Sequence, residues 1–124
     1  MAQQRSLDTQ EALLDAAEDL IRQAGFAGTS LDAIAVKAGV AKGALFHHFA
    51  NKTDLIRALM ARYAGRDAER LEQYLGRAAV LSRDPLQQVL IVFGLYEEMA
   101  LALVGPYEGC LFATVGAEIA LLDD

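Results

Sequence analysis

The stretch TSLDAIAVKAGVAKGALFHHF, residues 29–49, decides the fold of this chain, because it contains two short helical patterns joined by a tight turn. The first pattern has apolar residues at steps of three and four, which form one side of a helix: Leu31, Ile34, Ala35 and Ala38. The second, over about 42–49, has Leu45 and Phe49 four residues apart. Gly39 between them can adopt the left-handed backbone conformation that other residues resist. This spacing predicts a helix-turn-helix.

The second helix of such a motif places its N-terminal residues in the major groove of DNA. Here that helix opens with one basic and two small residues: Lys42, Gly43 and Ala44. The small residues allow the backbone to approach DNA closely, and the lysine can neutralise a phosphate. His47 and His48 lie on the exposed side if Leu45 and Phe49 face the core. Lys52, just past the helix, is placed for a second phosphate.

Charge is distributed unevenly along the 124 residues, whose net charge is −6. Residues 25–66 contain six basic and two acidic residues, whereas residues 67–124 contain three basic and ten acidic residues. A basic block before an acidic body favours one surface that meets phosphate. Charge blocks also occur simply as solvated faces. For the helix pair itself, the alternative to a DNA-binding motif is a helical hairpin that only packs.

Helical patterns extend on both sides of the motif. Asp8 and Glu11 predict a capping box at the start of a first helix, and Gly25 predicts its end. Ser30 is predicted to cap the second helix, and Asn51 to cap a long fourth one. The buried side of this fourth helix is predicted to consist of Leu55, Leu59, Tyr63, Leu71, Tyr74 and Leu75.

Asp84-Pro85 predicts the start of a fifth helix that runs to about Val104, and a last helical segment is predicted to end at Leu122. No strand pattern is present, so the predicted fold class is all-α. We expect a three-helix helix-turn-helix DNA-binding module over residues 7–66. A long linking helix and a partial helical ligand-binding or dimerisation domain follow, the latter over residues 67–124.

Other chemistry has little support in the sequence. Cys110 is the only cysteine, so no intrachain disulfide can form, and a cytoplasmic protein with no membrane span is expected. Burial as a small apolar residue is favoured over a sensor role for this thiol. His47 and His48 are poor metal ligands as a pair, because adjacent helical side chains point about 100° apart. No catalytic motif is recognisable, so neither an enzyme nor a cofactor is predicted.

The motif closely resembles the signature of the TetR family of transcriptional regulators. The resemblance rests on residues 28–35, 38–40 and 43–52, which read GTSLDAIA, AGV and GALFHHFANK, and it extends over about residues 7–59. It implies a DNA-binding regulator, with these positions at the DNA: Ser30, Lys42, Gly43, Ala44, Phe46, His47, His48 and Lys52. Two positions differ from many members of the family. Phe46 stands in place of tyrosine, and Ala41 in place of a capping serine or threonine, which forgoes about 1 kcal/mol.

The resemblance also implies a repressor that binds a palindromic operator as a homodimer and is released by a small-molecule inducer. Part of the aromatic content of the second half would line the inducer cavity, although packing in the core is the simpler interpretation of any single residue. The residues assigned to an apolar ligand are Phe93, Tyr96, Glu97 and Phe112.

The resemblance further implies additional C-terminal helices that form a four-helix dimer interface, whereas this sequence stops at Asp124. We therefore expect a fragment or a naturally short form. The competing hypothesis is a truncated helical interaction module that cannot dimerise and binds no operator productively.

Overall fold

The computed structural model describes residues 1–102, 111 and 115–118, and this part of the chain contains helices and no strand. The helices are α1 (Ala2–Ala24), α2 (Leu31–Ala38), α3 (Lys42–His48), α4 (Lys52–Leu81) and α5 (Pro85–Ala102). The all-α fold class is confirmed. None of the helices in the described ranges has the length and apolar content that crossing a membrane requires.

The chain divides into two units. The first comprises Met1–Ala61 together with the described C-terminal residues 111 and 115–118, and the second comprises Arg62–Glu108. The predicted domain division between residues 66 and 67 stays a prediction. The return of C-terminal residues to the first unit was not predicted, because no local pattern reports which distant segment a helix packs against.

The core of the first unit lies where α1, α2 and α3 pack against one another. Its largest fully buried side chains are apolar and come from several helices: Leu13, Ile21, Ile34, Leu45, Leu55, Leu59, Leu111 and Val115. Full burial of one such side chain contributes about 1.5–3 kcal/mol. These residues fix the mutual position of α2 and α3, whose opposite faces remain exposed.

The predicted capping box at the start of α1 is wrong. The helix begins at Ala2, and Asp8 lies inside it, where its Oδ1 accepts a hydrogen bond from Nε2 of Gln4 at 2.9 Å. The segment before Asp8 is rich in good helix formers and contains neither glycine nor proline, so nothing stops the helix from starting earlier. The predicted end is confirmed, since Gly25 follows the last helical residue and donates to the Ile21 carbonyl at 2.8 Å.

Two further helix starts follow the predicted caps. The Ser30 hydroxyl accepts the Ala33 N–H at 3.1 Å, and the Asn51 side chain accepts the Asp54 N–H at 2.8 Å. Each cap satisfies one of the backbone donors that the first helical turn leaves free. The boundaries of α2 and of the start of α4 are therefore encoded locally.

Substitution of Ser30 by alanine is expected to lower the free energy of unfolding by about 1 kcal/mol, because the Ala33 N–H loses its acceptor. Urea denaturation followed by circular dichroism measures this change. Ser30→Asp is the matched control, since its carboxylate can accept the same hydrogen bond and should retain most of the stability. Equal losses in the two variants would contradict a capping role for the hydroxyl.

In the second unit, the predicted buried side of α4 is wrong at Leu71 and Leu75. Leu71 is 42% exposed and Leu75 is 52% exposed, while Tyr74 is half-buried and packs edge-on against Tyr96 with ring centroids 4.9 Å apart. An apolar stripe is buried only where a partner covers it along its length. The described part of this unit has two helical segments, which leave much of each other's apolar surface uncovered.

Candidate nucleic-acid interface

The turn between α2 and α3 sets the direction of α3. Gly39 ends α2 with φ 68° and ψ 32°, the left-handed conformation that the sequence predicted. Its N–H donates to the Val36 carbonyl at 3.1 Å, and the next N–H, from Val40, donates to the Ala35 carbonyl at 3.0 Å. These bonds satisfy two of the four carbonyls in the last turn of α2. The two helices of the motif are therefore joined by a defined turn.

α3 presents two different faces. Leu45 is fully buried, and Phe49, which follows the helix, is 5% exposed. The rest of the helix surface is exposed and carries most of the residues predicted to meet DNA: Lys42, Gly43, Ala44, Phe46 and His47. His48 is half-buried, with its ring centroid 6.3 Å from that of Phe49. The structure thus places this set on one surface, with His48 at its edge.

Gly43 has an unoccupied space in front of it. A Cβ added at this position would have no neighbouring atom within 4 Å. The glycine is therefore not required by packing inside the protein. What it provides is a backbone surface that another molecule can approach closely.

Lys42 has a partner that sequence reasoning missed. Its Nζ lies 2.8 Å from Oδ1 of Asp32, in the first turn of α2, and 6.0 Å from the centroid of the Phe46 ring. Both members of the ion pair are largely exposed. Ten residues separate them in sequence, and only the turn at Gly39 brings them together, so no spacing rule for a single helix could find the pair.

Lys52 lies against the turn between α1 and α2. Its ammonium donates a hydrogen bond to the Phe26 carbonyl at 2.5 Å and lies 4.1 Å from the centroid of the Phe26 ring. Burial lowers the pKa of Lys52, and the negative charge of Glu118 opposes this shift. The predicted phosphate contact stays a prediction, and the ammonium already makes a structural contact within the first unit.

Glu118 is a second residue that sequence reasoning missed. Its Oε2 accepts the N–H of Ala27 at 3.0 Å, across 91 positions of sequence. A Cβ at Gly25 would collide with the same carboxylate. The turn before α2 is thus held by a side chain from the C-terminal part of the chain.

The residues predicted for an apolar ligand are not brought together as an enclosed site within the described residues. Phe93 is 68% exposed, Glu97 is exposed, and Tyr96 is half-buried against Tyr74. Phe112 lies outside the described residues. An open groove of about 660 Å³ in the second unit has a different lining, from Gln73, Gly76, Arg77, Val80 and Leu81.

The geometry of a helix-turn-helix with an exposed α3 agrees with comparisons to known proteins. The sequence profile described as "Bacterial regulatory proteins, tetR family" matches residues 13–59, which include α2 and α3. Transcriptional regulator AcuR of Cereibacter sphaeroides is 31% identical over 116 residues, which cover 92% of this chain and 50% of AcuR. The HTH-type transcriptional repressor NemR of Escherichia coli is 31% identical over 121 residues, which cover 94% of this chain and 57% of NemR.

A shorter match supports the same assignment. The HTH-type transcriptional repressor BepR of Brucella suis is 38% identical over 55 residues, which cover 44% of this chain and 26% of BepR. Residues 13–59 of this chain therefore form the N-terminal domain of the TetR family of bacterial regulatory proteins. It spans about half the length of AcuR and NemR.

Proposed function

We propose that this protein is a sequence-specific DNA-binding transcriptional regulator that places α3 in the major groove. The observation that carries the proposal is the exposed surface of α3, where the uncovered Gly43 and His47 lie opposite the fully buried Leu45 and Lys42 is exposed at the start of the helix. A rigid helix with one face anchored in the core can present its other face to base edges without losing its position.

The residues of this face divide into two roles. Lys42 and Lys52 supply positive charge for phosphates, which gives affinity for DNA of any sequence. His47 carries ring nitrogens that can read base edges or contact the adjoining backbone, and Phe46 offers an apolar surface to a thymine methyl. Ser30, at the start of α2, has an exposed hydroxyl that can donate to a phosphate while its oxygen caps the helix.

The fuller proposal is a repressor that binds a palindromic operator as a homodimer and is released by a small apolar ligand. NemR and BepR are described as repressors. Two recognition helices related by a two-fold axis have to lie about 34 Å apart, one turn of DNA, or a small multiple of that distance. Aromatic residues of the second unit, with Phe93 and Tyr96 among them, would supply the apolar contacts to the ligand, and Glu97 a polar one. Phe112 is assigned to the same ligand.

Substitution of Gly43 by glutamine is expected to separate DNA binding from folding. Glutamine is the better helix former, so the free energy of unfolding should rise by about 0.5 kcal/mol. The new side chain fills the space through which the backbone approaches DNA, so affinity for a selected duplex should fall about tenfold, which corresponds to ~1.4 kcal/mol. The duplex is first selected from a randomised library, and affinity is then measured by fluorescence anisotropy.

Gly76→Gln is the matched control, because Gly76 also lies in a helix with open space in front of it. It should gain similar stability and leave DNA affinity unchanged. Equal DNA affinities of the Gly43 and Gly76 variants would contradict the proposed surface. Selection that enriches no sequence would contradict a sequence-specific regulator and favour a helical interaction module.

A further inference from the structure

The ion pair between Asp32 and Lys42 joins the two helices of the motif across their turn. The lysine is the first residue of α3, the aspartate lies in the first turn of α2, and the atoms Nζ and Oδ1 are 2.8 Å apart. The two side chains are 60% and 68% exposed. Exposed pairs of this kind are worth at most about 1 kcal/mol, so the pair can open when a stronger anion arrives.

From this geometry we propose that Asp32 competes with DNA phosphate for Lys42 and thereby weakens binding to DNA of any sequence. The inference rests on the proposed function and concerns the same surface. In the free protein the carboxylate occupies the position around the ammonium that a phosphate oxygen would take. When DNA binds, the ammonium exchanges one anion for another, and the carboxylate is left unpaired near the phosphates.

This exchange changes the number of ions released on binding. A lysine that neutralises a phosphate displaces a condensed cation from DNA and so steepens the dependence of affinity on salt. A carboxylate left beside DNA attracts a cation back, which cancels part of that release. Asp32 therefore reduces the electrostatic contribution to binding, on which non-specific affinity depends almost entirely.

The consequence for function is a gain in discrimination. Specific binding has base contacts in addition to phosphate contacts, whereas non-specific binding has only the latter. Subtracting one positive charge from the interface lowers both affinities. Non-specific binding, however, loses the larger fraction of its binding free energy. In this mechanism Asp32 is a positioning residue that acts on DNA through Lys42.

Asp32→Asn tests the proposal with a fluorescein-labelled 20-base-pair duplex of arbitrary sequence. Fluorescence anisotropy at several salt concentrations gives both affinity and its salt dependence. Affinity at low salt is expected to rise about fivefold, the equivalent of the ~1 kcal/mol of an exposed pair. The slope of log affinity against log salt should steepen by up to about 0.9. Urea denaturation confirms that the variant is folded.

Two controls separate this mechanism from a general effect of charge. Asp19→Asn makes the same change in net charge on an exposed position of α1 and should raise affinity much less. In a Lys42→Gln background, Asp32→Asn should raise affinity much less, because competition for the lysine is absent and only the direct repulsion between the carboxylate and the phosphates is relieved. The proposal would be overturned if Asp32→Asn raised DNA affinity equally with and without the lysine. It would also be overturned if Asp19→Asn raised affinity as much as Asp32→Asn.

The same data distinguish the inference from the function on which it rests. If the unsubstituted protein binds the duplex in a salt-dependent manner and Asp32→Asn binds identically, the inference alone is overturned. If the unsubstituted protein shows no binding to the arbitrary duplex at low salt, both the inference and the proposed function are overturned.

Discussion

Leu45→Ala is expected to lower the free energy of unfolding by about 3 kcal/mol and to abolish measurable DNA binding. Leu45 is fully buried and is the residue by which α3 itself is anchored in the core. Large-to-small substitutions of buried leucine cost about 2–5 kcal/mol, because the transfer free energy is lost and a cavity remains. Urea denaturation followed by circular dichroism gives the stability, and anisotropy with a labelled duplex gives the binding.

The neighbouring Phe46→Ala is the control for this prediction. The substitution Phe46→Ala removes a larger side chain from the same helix. Because Phe46 is 45% exposed, the expected loss of stability is below about 1 kcal/mol. Its effect should appear in DNA affinity while the fold is retained. Similar losses of stability in the two variants would show that α3 is not anchored through one face, contrary to the burial pattern.

Gly25→Ala is expected to destabilise the first unit by about 3 kcal/mol, for two physical reasons. Gly25 has φ 79° and ψ 170°, a region of backbone conformation that is almost restricted to glycine and costs other residues about 1–3 kcal/mol. The added Cβ would also displace the Glu118 carboxylate, the flexible end of a side chain, and so weaken its hydrogen bond to the Ala27 N–H. Thermal or urea unfolding of the purified variant measures the combined effect.

A double-mutant cycle separates the two contributions. In a Glu118→Ala background the collision is absent, so Gly25→Ala should cost only the backbone strain, and the difference between the two costs measures the clash. Gly39→Ala is a second control, since its φ of 68° is also strained but its Cβ would meet nothing within 4 Å. A Gly25→Ala cost no larger than that of Gly39→Ala would contradict the steric contribution of Glu118.

Much of the first unit could be predicted because its determinants are local. The cap at Ser30 needs only a donor three residues away, and the left-handed turn at Gly39 needs only a residue without a side chain. The burial of Leu45 and Phe49 follows from their spacing on one face. The same reasoning failed for Leu71 and Leu75, because periodicity identifies an apolar stripe but not whether a partner covers it.

The amino-acid sequence by itself determined the helix-turn-helix, its family and the face of α3 that is exposed. The tertiary structure alone decided which groups the two lysines of the candidate interface meet: Lys42 pairs with Asp32 across the turn, and Lys52 donates to the Phe26 carbonyl. It also brought Glu118 to the N–H of Ala27. Helix periodicity and capping extend over three or four residues, whereas these contacts join segments 10 to 91 residues apart, whose approach depends on how the whole core packs.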